Sequence, residues 1–325
     1  MKKGITIIIC TFNGVTKIAE TLNHLALQNV PETLNWEIVI VDNGSKDNTS
    51  GVAVNEWKNH TISHVPLTIV NENKPGKLFA FQKGIALAKY EYFIVCDDDN
   101  WLAHDYLSVA FEILENNPDI GAVGGQTTAV TEPGLDFPDW FENVKAGYAV
   151  GRQTEHTGDI TSRGHIWGAG LSSRTSLYKT AYNDFPSLLI NKTDKKILSA
   201  EDTEYCLRLI LMGYRLHYDT RLSLKHFIPA ERLTSEYREG LFRNFSNAGL
   251  ILEKYYLAIK FGLEDNVSLY NLIRLTLITP FRALFASSIK NKVKQTTILS
   301  YLLPSLFKPD HLTTQIKKFM LHHKD

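Results

Sequence analysis

Unbroken apolar runs alternate with amphipathic stretches through the first hundred residues. Ile5 to Cys10 reads as a strand buried on both faces, as in a parallel sheet. Thr11-Phe12-Asn13-Gly14 follows as a turn. Ile18, Leu22 and Leu25 then mark one face of a helix that ends before Pro31. Trp36 to Val41 is a second strand. It closes on Asp42-Asn43-Gly44-Ser45, where Asn-Gly marks a turn, and Ser45 or Asp47 is placed to cap a helix reaching about Trp57. Leu67 to Val70 is a third strand, followed by a loop from Asn71 to Lys77 and a helix through Phe81, Ile85 and Ala88. The fourth strand, Tyr92 to Val95, delivers Cys96-Asp97-Asp98-Asp99-Asn100-Trp101. Such alternation predicts an α/β fold with a parallel sheet and right-handed crossovers.

The second half is less regular. Leu102 to Leu114 predicts a helix ended by Asn116-Asn117-Pro118, and Ile120 to Thr127 a strand. Periodicity lapses from Thr131 to His165, yet Trp140, Phe141 and Tyr148 lie there and need a surface to bury, so a functional loop region is expected. Trp167 to Leu171 predicts a resumed strand. Cys206, Leu209 and Ile210 give a helical face, which Gly213 ends as a left-handed cap. Leu222, Leu224 and His226 alternate onto one face of another strand. After Glu236 the strand signals stop. Tyr237 to Phe261 predicts a long helix, and Arg274, Pro280 and Arg282 interrupt the apolar stretch Leu269 to Ile289, against a membrane span.

Composition adds bounds. The 325 residues are 44% hydrophobic and 22% charged, ordinary globular values, and a formal net charge of zero favours no nucleic acid. The N-terminal apolar run is too short for a signal peptide or a span. Cys10, Cys96 and Cys206 are far apart and read as free buried thiols in a reducing compartment, hence a cytoplasmic location.

In parallel sheets ligands bind beyond the carboxyl ends of the strands. That rule collects Thr11, Asp42 and Asp97 to Asp99 on one rim, joined by the loop carrying Lys74 and Lys77. Three adjacent carboxylates repel. Either a hard divalent cation carrying substrate phosphates sits among them, or they form a solvated turn capping the next helix. No G-x-G-x-x-G follows the first strand, and Gly121 to Gly125 has the wrong spacing, which disfavours a dinucleotide dehydrogenase. Asp42 also fits an Asx-turn. Ser199 and Asp202 have capping-box spacing, and His226 also fits a core position.

The runs at 7–13 (IIICTFN), 39–49 (VIVDNGSKDNT) and 96–100 (CDDDN), together with Glu201-Asp202, resemble glycosyltransferase family 2. Phe12 departs from that family's usual Tyr. The resemblance implies a GT-A type, Rossmann-like, mostly parallel sheet flanked by helices, with a C-terminal helical appendage. It implies a catalytic domain over 1–235, with nucleotide-sugar binding in 1–100 and acceptor and catalytic parts in 101–235, and a helical extension over 236–325. It implies an inverting, metal-dependent transfer of a sugar, from a UDP-sugar foremost, to a saccharide or lipid-linked saccharide acceptor in surface polysaccharide or glycan synthesis. Thr11, Asn13, Asp42, Lys74, Lys77, Asp97 and Asp98 would then bind the donor, and Gly168-Ala169-Gly170 would lie near its sugar. Asp99, Asp97 and His226 would hold Mn2+ or Mg2+, imidazole suiting Mn2+ better. Arg232 would reach the diphosphate or form a surface salt bridge. Asp202 would be the general base, beside Glu201. A helix N-terminus lowers a carboxyl pKa, so a working base there needs opposing burial or a neighbouring carboxylate such as Glu201.

The tail lysines Lys290, Lys292, Lys294, Lys308, Lys317, Lys318 and Lys324 alternate with apolar residues. They fit a membrane-surface helix, making the enzyme peripheral, or an appendage packed on the catalytic domain or on a second copy of the chain. Two rival functions stand. A sugar-1-phosphate nucleotidyltransferase would want a Gly-rich basic loop after the first strand, which is missing. A non-catalytic nucleotide-sugar-binding protein would not need the triplet, the Glu-Asp pair and His226.

Overall fold

In a computed structural model, which describes residues 1–60, 62, 64–190, 198–261 and 311–323, the N-terminal runs become strands of one sheet. They are β1 (Lys2–Thr11), β2 (Trp36–Asp42), β3 (Leu67–Asn71) and β4 (Tyr90–Val95), alternating with α1 (Ile18–Ala26), α2 (Thr49–Asn59) and α3 (Lys77–Leu87). Two-residue alternation sorts β1 between two cores. Ile5, Ile7 and Ile9 pack with Leu22 and Leu25, whereas Ile8 packs with Phe81, Phe93 and Cys206 on the other face. Both faces of β1 are covered, which is why its central run is apolar.

The sheet order is β3-β2-β1-β4-β8-β6-β9-β5, with β5 (Asn100–Leu102) at the edge and β7 (Gly158–Asp159) beside β9 (Arg215–Phe227). The first four strands are parallel to one another, while β8 (Ser172–Arg174) is antiparallel to both β4 and β6 (Ile120–Val130). The chain steps outward from β1 in both directions, so the crevice beyond its carboxyl end is the switch point where ligands bind. Register aligns Thr11 with Asp42, and Asp42 with Asn71, along that rim.

Two expected elements are corrected. Leu102 does not begin the helix: it ends the edge strand β5 (Asn100–Leu102), paired with His226, Lys225 and Leu224 of β9, and helix α4 starts at Tyr106 and runs to Asn116. Pairing with a distant strand overrides the local helical pattern. Trp167 to Leu171 is not a strand. Gly170 turns at φ +79°, exchanging backbone hydrogen bonds with Val95 along with Leu171, and the strand begins at Ser172.

Within the irregular region, α5 (Phe141–Val144) and Tyr148 bury their aromatic faces with Val150, Ile228 and Leu233. Helix α6 (Thr175–Tyr182) leads towards α7 (Glu201–Leu211), and Gly213 follows α7 at φ +89°. Ser199 does not cap α7: the N-cap is Ala200, without a side-chain hydrogen bond. Helix α8 (Ser235–Phe261) and α9 (His311–His322) share an apolar cluster with Leu207 of α7 through Leu252, Tyr255, Ile316 and Met320. The stretch Leu269 to Ile289 and Lys290, Lys292, Lys294, Lys308 and Lys324 lie outside the described residues. Among the described residues no helix is long and apolar enough to cross a membrane.

Candidate active site

A cavity of about 840 Å³ opens beyond the carboxyl ends of β1 and β4. Thr11, Lys17, Lys77, Asp97, Asp98, Asp99, Asp202, His226 and Arg232 line it. Each triplet carboxylate meets its own cation. Asp97 pairs with Lys77 at 2.6 Å, Asp98 with Lys17 at 2.8 Å, and Asp99 with Arg232 at 2.9 Å. Fixed opposite charges thus answer the repulsion that makes the triplet conspicuous.

The three carboxylates do different work. Asp98 accepts from the Thr11 hydroxyl at 2.6 Å, and its own carbonyl accepts from Thr21, so it ties β1 and α1 to the end of β4. Gly14 covers this bond: a Cβ there would stand 2.3 Å from Asp98 Oδ2 and 2.4 Å from Thr11 Oγ1. Burial pushes the Asp98 carboxyl up, with Asp99 adding to it against Lys17. Burial acts upward on Asp99 too, but His226, Arg232 and Lys17 outweigh it and hold that carboxyl below its ordinary value.

The β5–β9 register sets Asn100 opposite His226, which brings the imidazole to the triplet. His226 Nε2 lies 3.6 Å from Asp99 Oδ1, and Nδ1 lies 2.9 Å from the Tyr148 carbonyl. A carbonyl only accepts, so Nδ1 carries a proton towards Tyr148 and Nε2 is the ring nitrogen turned towards Asp99. Carboxylate oxygen beside imidazole nitrogen is a donor pair that fits Mn2+, and Mg2+ less well. Among the described residues no three His, Cys, Asp or Glu side chains are grouped so as to hold a metal ion, and Asp97, expected beside Asp99 and His226, pairs with Lys77. A cation held by this pair would keep positions for phosphate oxygens and water.

Asp202 stands at the first turn of α7, yet it does not simply cap it. Oδ1 accepts the Thr203 N–H at 2.7 Å, and Oδ2 accepts the Gly168 N–H at 2.8 Å. Burial pushes its pKa up, and those two N–H groups oppose the rise without cancelling it. Burial, rather than Glu201, is the leading cause. Glu201 is itself raised by burial, against Lys77. It lines a smaller pocket of about 170 Å³ that also touches Lys77 and Asp202.

Three predicted donor residues do not line the cavity. Asp42 accepts from Ser45 N at 2.7 Å and from Ser50 Oγ at 2.8 Å, the geometry of an Asx-turn beside the rim. Asn13, at φ +52°, accepts from Lys46 N. Lys74 lies over the Phe79 ring. Residues the sequence reading passed over also matter. Lys17 neutralises Asp98, and Asn43, which lines the cavity, donates to the Glu72 and Lys74 carbonyls and so joins two rim loops. The one available signal for Lys17 was charge balance, since three carboxylates call for three cations.

The sequence model described as Glycosyl transferase family 2 matches residues 6–171. A poly-beta-1,6-N-acetyl-D-glucosamine synthase of Staphylococcus aureus is 33% identical over 219 residues, 67% of this chain and 48% of the synthase. The chain therefore spans about half the length of that relative. Among solved structures, S. aureus TarS 1–349 in complex with UDP-GlcNAc superposes with a TM-score of 0.52 at 19% identity, covering 100% of this chain and 92% of that one. The mannosyltransferase PcManGT from Pyrobaculum calidifontis, in complex with GDP-Man and Mn2+, also gives 0.52, at 21% identity, covering 99% of this chain and 86% of that one. These two likenesses concern the fold.

Proposed function

The chain belongs to glycosyl transferase family 2, and from that membership we propose that it moves a sugar from a UDP-sugar to a saccharide hydroxyl with inversion at the anomeric carbon. One observation supports this above the others: the raised carboxyl of Asp202 shares a cavity with the Asp99–His226 pair. Structural relatives in complex with UDP-GlcNAc, or with GDP-Man and Mn2+, are consistent with the donor class. In the proposed reaction Asp202 takes the acceptor hydroxyl proton while the new glycosidic bond forms and the bond to the diphosphate breaks. Lys77, Lys17 and Arg232 face the departing diphosphate. Asp99 and His226 would hold Mn2+ or Mg2+, which supplies Lewis-acid neutralisation of leaving-group charge. Polysaccharide synthesis on the cytoplasmic side is part of the proposal, and the free thiols Cys10, Cys96 and Cys206 accord with it. Mass spectrometry of products from UDP-, GDP- and TDP-sugars with Mn2+ or Mg2+ tests the reading; a panel yielding no transfer to any saccharide rejects it.

Two further outcomes are expected. Asp99→Asn should weaken Mn2+ binding by about 10–100-fold or more, read by paramagnetic resonance of free Mn2+, with the thermal transition retained. Unchanged affinity would remove Asp99 from the ion site. The base must be ionised to work, and its pKa is raised from the ordinary 3.8. Activity should therefore fall as pH drops through a value above 3.8, so the acid limb of kcat/KM lies higher than an exposed aspartate would place it. A limb at or below the ordinary value contradicts burial as the tuning device.

A further inference from the structure

Four cationic side chains, Lys17, Lys77, Arg163 and Arg232, line the large cavity. Three of them meet a triplet carboxylate. Arg163 meets no carboxylate among the described residues. Its Nη1 donates to the Gln153 carbonyl, and its guanidinium carbon lies 5.2 Å from the centroid of the Trp167 ring. Its Nε is buried without a hydrogen-bond partner. With no carboxylate and an unmet N–H, the guanidinium charge is poorly answered within the fold, and an anion brought by a ligand to its cavity-lining side would answer that charge. Burial accordingly holds the Arg163 pKa below its ordinary value.

Arg163 is also firmly placed. It ends the short 3-10 turn Thr161–Arg163, and Gly164 follows at φ +81°. A Cβ on Gly164 would stand 2.4 Å from Tyr256 Cε1, so only glycine lets Tyr256 close against the turn. From there the wall is continuous to the proposed base. Arg163 lies over Trp167, the next residue is Gly168, and the Gly168 N–H donates to Asp202. A hydroxyl that gives its proton to Asp202 must come to this wall.

We propose that Arg163, with Trp167 and Tyr256, forms a subsite beside Asp202 for an acceptor saccharide carrying a negative charge, a carboxylate or a phosphate. The assignment rests on the transferase reading, because Asp202 identifies the acceptor side. A guanidinium fork pairs with either anion through two N–H groups, and Tyr256 offers a flat apolar face to a sugar ring. In this scheme the cations of the triplet serve the donor and Arg163 selects the acceptor.

Calorimetry on the whole chain with saturating UDP, which fills the diphosphate site, reads this directly. Methyl glucoside, methyl glucuronide and glucose 6-phosphate are the titrants. At least one charged sugar should bind about tenfold more tightly than methyl glucoside. Which one does so tells carboxylate from phosphate. Arg163→Met should erase the preference and Arg163→Lys should keep part of it, with UDP affinity unchanged in both. Equal binding of all three sugars overturns the subsite, as does a preference that survives Arg163→Met. Weakened UDP binding in a folded Arg163→Met or Arg163→Lys chain also overturns it, by giving Arg163 to the donor. If Arg163→Met shows no thermal transition, the wild-type preference and Arg163→Lys decide. A wild-type chain that does not bind UDP fails the transferase reading instead.

Discussion

Asp202→Asn is expected to lower kcat/KM by about 10²–10⁴-fold, the usual worth of a positioned general base. The substitution isolates proton transfer. Asn keeps the shape of the side chain, and its carbonyl oxygen still accepts one of the two N–H groups, from Gly168 or Thr203, that hold Asp202. It cannot take a proton. The residues proposed to face the diphosphate, Lys77, Lys17 and Arg232, form their ion pairs with the triplet and not with Asp202, and only Lys77 acts on Asp202 through its charge, so UDP affinity should change far less than kcat/KM. Stability supplies a second readout. The folded pKa of Asp202 is raised, so its ionised form at neutral pH disfavours the fold, and stability should fall as pH rises through that pKa. Removing the charge relieves this penalty, which opposes the loss of one accepted hydrogen bond. A folded, UDP-binding, inactive Asp202→Asn chain is the expected result. A fully active one would take the base role away from Asp202, and the acceptor side assigned to Arg163 would go with it.

What could be read from the chain beforehand follows the range of the forces involved. The strands β1, β2 and β4 are largely buried, so their apolar runs announce them without reference to anything distant. Leu102 and Trp167 misled because their local pattern is decided elsewhere: β5 exists through its pairing with β9, and Gly170 turns the chain at the end of β4. The same division runs through the site. Three consecutive carboxylates are conspicuous in any sequence, whereas the cations that answer them come from three separate elements with no shared local signal. Asp42 illustrates the reverse: its local Asx-turn geometry is present. Arg163 lay in a stretch without periodicity, and its significance is the partner it lacks. No single-sequence pattern carries that information.

Arg208→Ala is expected to destabilise the fold by about 3–5 kcal/mol, measured from urea midpoints, because it would strand a buried carboxylate. Arg208 is 1% exposed and Glu204, one turn earlier on α7, is 0% exposed. The guanidinium donates from Nη2 to Glu204 at 3.1 Å, from Nε to the Tyr255 hydroxyl at 3.1 Å, and to the carbonyls of Ala181, Phe185 and Pro186. Glu204 in turn accepts from Tyr255, Leu188 N and Ser187. The pair therefore fastens α6, the segment after it, α7 and α8 to one another. With Arg208 gone, Glu204 keeps hydroxyl and amide donors but loses its only ion-pair partner among the described residues. Replacing both members by Arg208→Met with Glu204→Leu should recover most of the lost stability, since well-packed apolar groups often match a buried pair. Asp202 stands two residues before Glu204 at the start of the same helix, so a loosened α7 should also lower turnover in Arg208→Ala more than in the double variant. A loss below about 1 kcal/mol in Arg208→Ala would mean that solvent or a rearranged donor reaches Glu204, and the network would then not be what holds α8 against α7.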